Sequence, residues 1–218
     1  MPVQTTFGQQ SNPPAASGTG EGPVATGEKN EQLIAYLHAK HGYQTIIGQH
    51  YVAHLATAAA IPISTSTTFV LGLWNPGGTG KVVVPTRLNL GFTATTEVPG
   101  NIVISGVKNT GNTVATGAVI LTSTAIVPTC ALLGGGGQPS AQAFSAGTLT
   151  AAATIQFTTG LTQWTTPGTA VVATTQPRMY EFDGTFALAP GTLMLVMASA
   201  ATGSTYTQSI FWYEQNIP

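Results

Sequence analysis

The stretch RMYEFDGTFALAPGTLMLVMASAATGSTYTQSIFWYEQ, residues 178–215, decides the fold class. It holds three apolar and aromatic runs, RMYEFDGTFALA, LMLVMASA and YTQSIFWYEQ, separated only by the turn signals PGT and TGST. Connections of that size close antiparallel hairpins; a parallel sheet needs a crossover of a dozen residues or more. In the last run Ile210, Trp212 and Glu214 alternate with Phe211 and Tyr213, so a strand here carries large groups on both faces.

The same grammar extends upstream to Ile61. STSTTFVLGLW, KVVVPTRLNLGFTATT, IVISGV, VATGAVILTSTAIV, TIQFTT and TAVVATT are punctuated by NPGGTG, VPGN and NTGNT. Eight to nine short strands at this spacing, with little helical periodicity among them, predict an all-β chain: a single β-sandwich over residues 61–218, and a jelly roll in particular. Residues 132–147, LLGGGGQPSAQAFSAG, read as a loop, because four consecutive glycines do not suit an element interior. No repeat of 20–50 residues points to a solenoid or propeller.

Upstream of Ile61 the pattern changes, and residues 1–60 read as an extended N-terminal arm. Residues 1–29 are rich in Gly, Pro, Ser, Thr and Gln and carry too little apolar surface to offset their ordering entropy. Residues 30–41, NEQLIAYLHAKH, predict a short helix: Asn30 as N-cap, Glu31 in the first turn, Leu33, Ile34 and Leu37 on one face, and Gly42 as a left-handed stop. Residues 43–60 fit either a further helical turn or two, or extended chain.

Of 218 residues only 6% are charged, against about 25% in an average soluble protein. Net charge is −1, and no charged residue occurs from Asn109 to Pro177. Six scattered Lys and Arg supply neither the basic stripe that nucleic acid requires nor a polybasic membrane patch. Pro and Gly break every apolar stretch before it reaches the length of a spanning helix. The single Cys130 cannot form an intramolecular disulfide, and the N-terminus has no positive n-region followed by an apolar h-region, which predicts synthesis in a cytosol without a readable export signal. So few charges are a solubility liability in a free monomer and less of one in a subunit buried in an assembly. Strand edges normally blocked by Lys or Glu carry Thr here, so either the arm and partners cover them or the protein aggregates.

The residues offer little chemistry. All four histidines, His38, His41, His50 and His54, precede Ile61; HAKH and HYVAH would pair them on a helix face, but a zinc site also needs a third ligand, and no HExxH occurs. Glu181 and Asp183 share a strand face ahead of Gly184 and read as a strand-end and turn device; Arg178 faces the other way. There is no GxSxG elbow and no P-loop, and Cys130 reads as a small buried hydrophobe. The expectation is a protein that is not an enzyme, with no catalytic residues, no metal and no cofactor.

Several quoted stretches, in this order, resemble those of a family of small virion structural proteins of tailed bacteriophages. They are a Tyr/His/Gly-containing arm, GLWNP at Gly72–Pro76 with a Gly-rich turn, the basic start of a Val-rich strand at Lys81–Val84, EFDGT at Glu181–Thr185, the Pro190–Gly191 turn, and W-x-E-x-x-x-P from Trp212 to Pro218. The resemblance covers residue 43 to the end, and no motif in it is catalytic. It implies a virion component made in the host cytoplasm, most simply a capsid decoration or cement protein on the capsid exterior. Its implied partners are the major capsid protein and copies of itself, as a dimer or trimer. A tail or connector component or a receptor-binding protein is the alternative. A cupin-like metalloenzyme on the same jelly roll is more remote, because cupin ligands lie on barrel strands and these histidines are expected ahead of them. On this reading residues 1–60 dock on other subunits through Phe7, Leu33, Ile34, Leu37, Tyr43, Ile46, Ile47 and Tyr51. Burying three or four such side chains contributes roughly 5–10 kcal/mol gross.

Overall fold

A computed structural model describes residues 41–94, 100–108, 120–135, 137–163, 178–200 and 204–217. The chain divides into two compact units, Met1–Ile47 and Gly48–Pro218. In the first, the described part is a single helical turn, α1 (Gly42–Ile46), with the Thr45 N–H and Oγ1 both donating to the His41 carbonyl at 3.0 Å. His41 rather than Gly42 takes the left-handed conformation, φ 63°, and Gly42 begins the turn. The helix expected over residues 30–41 lies outside the described residues, apart from His41 itself.

The second unit is all-β. Its strands are β1 (His50–Ala60), β2 (Thr68–Phe69), β3 (Gly72–Asn75), β4 (Lys81–Ala94), β5 (Gly100–Lys108), β6 (Ile120–Ile126), β7 (Thr129–Cys130), β8 (Gln142–Leu149), β9 (Ile155–Gln163), β10 (Arg178–Glu181), β11 (Thr192–Ala198) and β12 (Thr205–Asn216). One sheet has the order β10-β4-β12-β1-β7; the other runs β8-β3-β11-β5-β9, with β2 and β6 also paired to β8. Among the described residues every pairing between these strands is antiparallel. The pairings nest: β1 with β12, β3 with β11, β4 with β10, and β5 with β9. Segment β6–β8 is inserted inside the innermost pair and adds to both sheets, β6 and β8 to one and β7 to the other.

The two sheets pack face to face. Tyr51, Ala53, Leu88, Leu90, Tyr206, Ile210 and Trp212 of the first meet Leu73, Ile102, Ile104, Met194 and Val196 of the second in one buried cluster. Along β12 the side chains at 206, 208, 210, 212 and 214 are buried and those between them half-buried, the period of a strand with one core face. β11, by contrast, is buried on both faces: Leu193, Leu195 and Met197 join Phe69, Val103, Val107 and Leu149 in a second cluster. This double burial explains why its sequence is an unbroken apolar run. The Phe69 ring lies over Gly147, where a Cβ would run into it.

Two expectations are corrected. The arm does not extend to residue 60: β1 pairs with β12 near both of its ends and supplies Tyr51 and Ala53 to the core, so the sandwich begins at Gly48. Interleaved polar residues and alanines hid a strand that one-face burial requires. The loop expected over 132–147 ends at Ala141, since Gln142 opens β8. Glycine is needed at Gly134, where φ is +84°, and at Gly137, where a Cβ would sit 2.7 Å from the Gly48 carbonyl oxygen. The strand expected in VATGAVILTSTAIV is present, within the described part of that stretch, as the seven-residue β6. The TAVVATT strand falls outside the described residues. Among those residues no helix is long and apolar enough to cross a membrane.

Candidate functional site: an outer sheet face and its support

Pro85 sits in a central strand, where it cannot donate to the ladder. The register accommodates it with a bulge: Phe211 pairs with Arg87 but Trp212 with Pro85, leaving Thr86 as the extra residue. One result is a polar and aromatic patch on the face of the five-stranded sheet turned away from the core. The Arg87 guanidinium lies 4.7 Å from the Phe211 ring centroid, with Nη1 3.6 Å from Met179 Sδ. His50 Nε2 is hydrogen-bonded to Thr86 Oγ1 at 3.1 Å and its ring lies 6.1 Å from that of Phe211. Next along the face, His54 Nδ1 and Ser209 Oγ are 2.8 Å apart.

These positions correct the premise that every histidine precedes the strands. His50 and His54 are on β1, four apart on the same face, and that face is opposite the one bearing Tyr51 and Trp212. They therefore do not point into the sandwich interior, where a cupin-like centre would lie. Among the described residues no group of three His, Cys, Asp or Glu is arranged to hold a metal. His38 lies outside the described residues. Glu181 ends β10, and Asp183 (φ 49°) and Gly184 (φ 70°) form the following turn, closed by Thr185 donating to the Phe182 carbonyl.

Four of the quoted motifs, but not Glu181–Thr185, converge at one end of the sandwich. Asn75 is fully buried, and its Nδ2 donates to the Lys81 and Leu188 carbonyls, each at 2.8 Å. Its Oδ1 accepts from Thr79 Oγ1 at 3.0 Å, and its own carbonyl accepts the Gly191 N–H at 2.6 Å. Lys81 Nζ donates to Glu214 Oε2 at 3.0 Å, while Glu214 Oε1 accepts the Ala141 N–H at 2.8 Å. Burial alone would raise the Glu214 carboxyl, but the Ala141 and Ser140 N–H groups and Lys81 outweigh it and hold it below its ordinary value. Burial, the Glu214 charge and then Cys130 raise the Tyr51 phenol. Thus GLWNP, Lys81, the Pro190–Gly191 turn and W-x-E form one buried polar knot that fixes the ends of β3, β4, β11 and β12.

The expected partner-binding residues fare differently. Phe7, Leu33, Ile34 and Leu37 lie outside the described residues, and Tyr43 lies in α1. Ile46 and Ile47 are exposed, Ile46 at 60%. Tyr51 is a correction: at 4% exposure it belongs to the core of its own sandwich and cannot anchor the chain elsewhere. The sequence reading missed the exposed Val127 (80%) and Leu133 (91%), which flank β7, and Met179 on β10. For Val127 and Leu133 the signal was bulky apolar residues in turn-like sequence, Val before Pro128 and Leu-Leu before the glycines. No protein-family model, curated protein or solved structure matches the chain.

Proposed function

We propose that the sandwich is a jelly roll and that the chain is a structural virion protein of a tailed bacteriophage, a decoration protein held on the capsid exterior by contacts with the major capsid protein and with copies of itself. The nested strand order supports the first part. A two-stranded ribbon rolled on itself pairs first strand with last and inward from there, as β1/β12, β3/β11, β4/β10 and β5/β9 do. That architecture recurs in viral capsid proteins, lectins and cupins, so it supports a virion role without selecting it.

The observation that carries the second part is the surface beside β7. Val127 and Leu133 project into solvent from a stretch in which no residue between Asn109 and Pro177 is charged. Exposed apolar side chains on so uncharged a surface suit a subunit whose working state is an assembly. Ile46 and Ile47, exposed just ahead of the sandwich, suit the same role. Peptide mass spectrometry of purified virions tests the reading. It expects this chain at a copy number comparable to that of the major capsid protein; a chain absent from virions overturns it, and a handful of copies moves it to the tail or connector.

A further inference from the structure

The two sides of β1 are used unequally. β12 pairs with one side over His50–Leu55 and again at Ala59–Ala60, with Ala56–Ala58 bulged between them. On the other, β7 matches only Tyr51 and Val52, with the Ala131 N–H donating to the His50 carbonyl at 2.7 Å. From Ala53 to Ala60 no strand among the described residues pairs with that side. This stretch reads AHLATAAA. It holds none of the Lys or Pro residues with which natural edge strands keep other chains from adding to them. Among the described residues the blunting device present is a register irregularity against β12 between Leu55 and Ala59, and strand backbone continues through it to Ala60. An open edge of this length offers a row of backbone donors and acceptors to a further strand.

We propose that the partner is a second copy of this chain, its β1 edge laid antiparallel on the first about a twofold axis at Thr57, joining two five-stranded sheets into one. The sequence is self-complementary in that register. Thr57 meets Thr57 of the second copy, Ala56 meets Ala58, Leu55 meets Ala59, and His54 meets Ala60. The larger member of each pair meets an alanine, threonine meets threonine at the axis, and no like charges face each other. A twofold contact of this kind is closed, so it yields dimers and not fibres. With a net charge of −1, two copies repel each other little. A ladder this short buries less than the about 800 Å² per partner of a standard interface. The pair is therefore weak in solution and strengthens where a particle holds copies side by side. This deepens the homo-oligomer part of the reading above and does not depend on where in a virion the chain sits.

The test is sedimentation velocity on the full-length protein from low micromolar to submillimolar concentration, with charges placed at the axis. The Thr57 side chain is exposed, so Thr57→Lys and Thr57→Glu leave the core untouched, and far-UV CD checks that each is folded. The wild type is expected to show a monomer–dimer equilibrium. Either variant alone puts like charges face to face and weakens it about tenfold or more, and an equimolar mixture of the two restores the dimer as a heterodimer. A wild type monomeric throughout, as it would be if the edge serves a different chain, overturns the proposal. So does a dimer indifferent to both variants, or a mixture that behaves like either variant alone.

Discussion

Lys81 and Glu214 meet at 3.0 Å and join the first residue of β4 to the buried end of β12. Because Glu214 also accepts the Ala141 N–H, the pair ties the loop returning from β7 to the same point. Glu214→Gln keeps the shape but removes the charge that these donors surround. Since the Lys81 side chain keeps some contact with water, the expected cost is about 1–3 kcal/mol, read from urea unfolding. Lys81→Met should cost less, because the backbone donors to the carboxylate remain.

The same pair sets an acid limit. The Glu214 carboxyl titrates below its ordinary value of 4.5 when folded, so the unfolded chain binds the proton more readily. The stability it contributes is complete above pH 4.5 and is lost as pH falls through the folded value. In Glu214→Gln this part of the acid slope should disappear. At the alkaline end the sign reverses: the Tyr51 phenol is raised above 10.0, so its contribution is present below that pH and fades as pH rises further, and Tyr51→Phe should flatten the decline.

Truncation tests where the sandwich starts. Removing residues 1–47 should leave a β-rich, cooperatively folding unit. Removing residues 1–60 also deletes β1, the partner of β12, with the core residues Tyr51 and Ala53, and should abolish cooperative unfolding. Equal folding of the two truncations would contradict the assignment of β1 to the sandwich.

Gly147→Ala should destabilise by about 1–3 kcal/mol, because the new methyl overlaps the Phe69 ring in a packed cluster. Combining it with Phe69→Leu should recover part of the loss, since the same clash is then relieved.

Gln208 points the other way. It is fully buried, and among the described residues neither its Nε2 nor its Oε1 has a hydrogen-bond partner. Gln208→Met, of similar volume, should raise stability by about 1–2 kcal/mol. A loss of stability would mean that the amide is satisfied in solution.

The all-β class was legible because short hairpin connections and turn residues are local signals, and residues 178–215 contain several of them. β1 was not, because HYVAHLATAAA has few β-branched side chains and gains its strand character from pairing with β12, 150 or so residues away, a non-local contact that propensity does not register. The apolar run LMLVMASA reflects the double burial of β11, whereas in β12, where large groups alternate on both faces, Phe211 and Tyr213 stay half-buried. Asn75, Lys81 and Glu214 stood in quoted motifs as separate marks. Only the strand order brings them together, and the outer patch of Arg87, Phe211 and His50 depends on a bulge at Pro85 that no turn signal announced.

The central claim is a place on the capsid exterior. Cryo-electron microscopy of the intact virion, with the Gly48–Pro218 unit fitted into the density, tests it most directly. The account predicts the sandwich repeated over the outer surface of the head, with the Val127 and Leu133 side covered by neighbouring subunits. Density for it at the tail, at the head interior or nowhere in the particle would contradict the account.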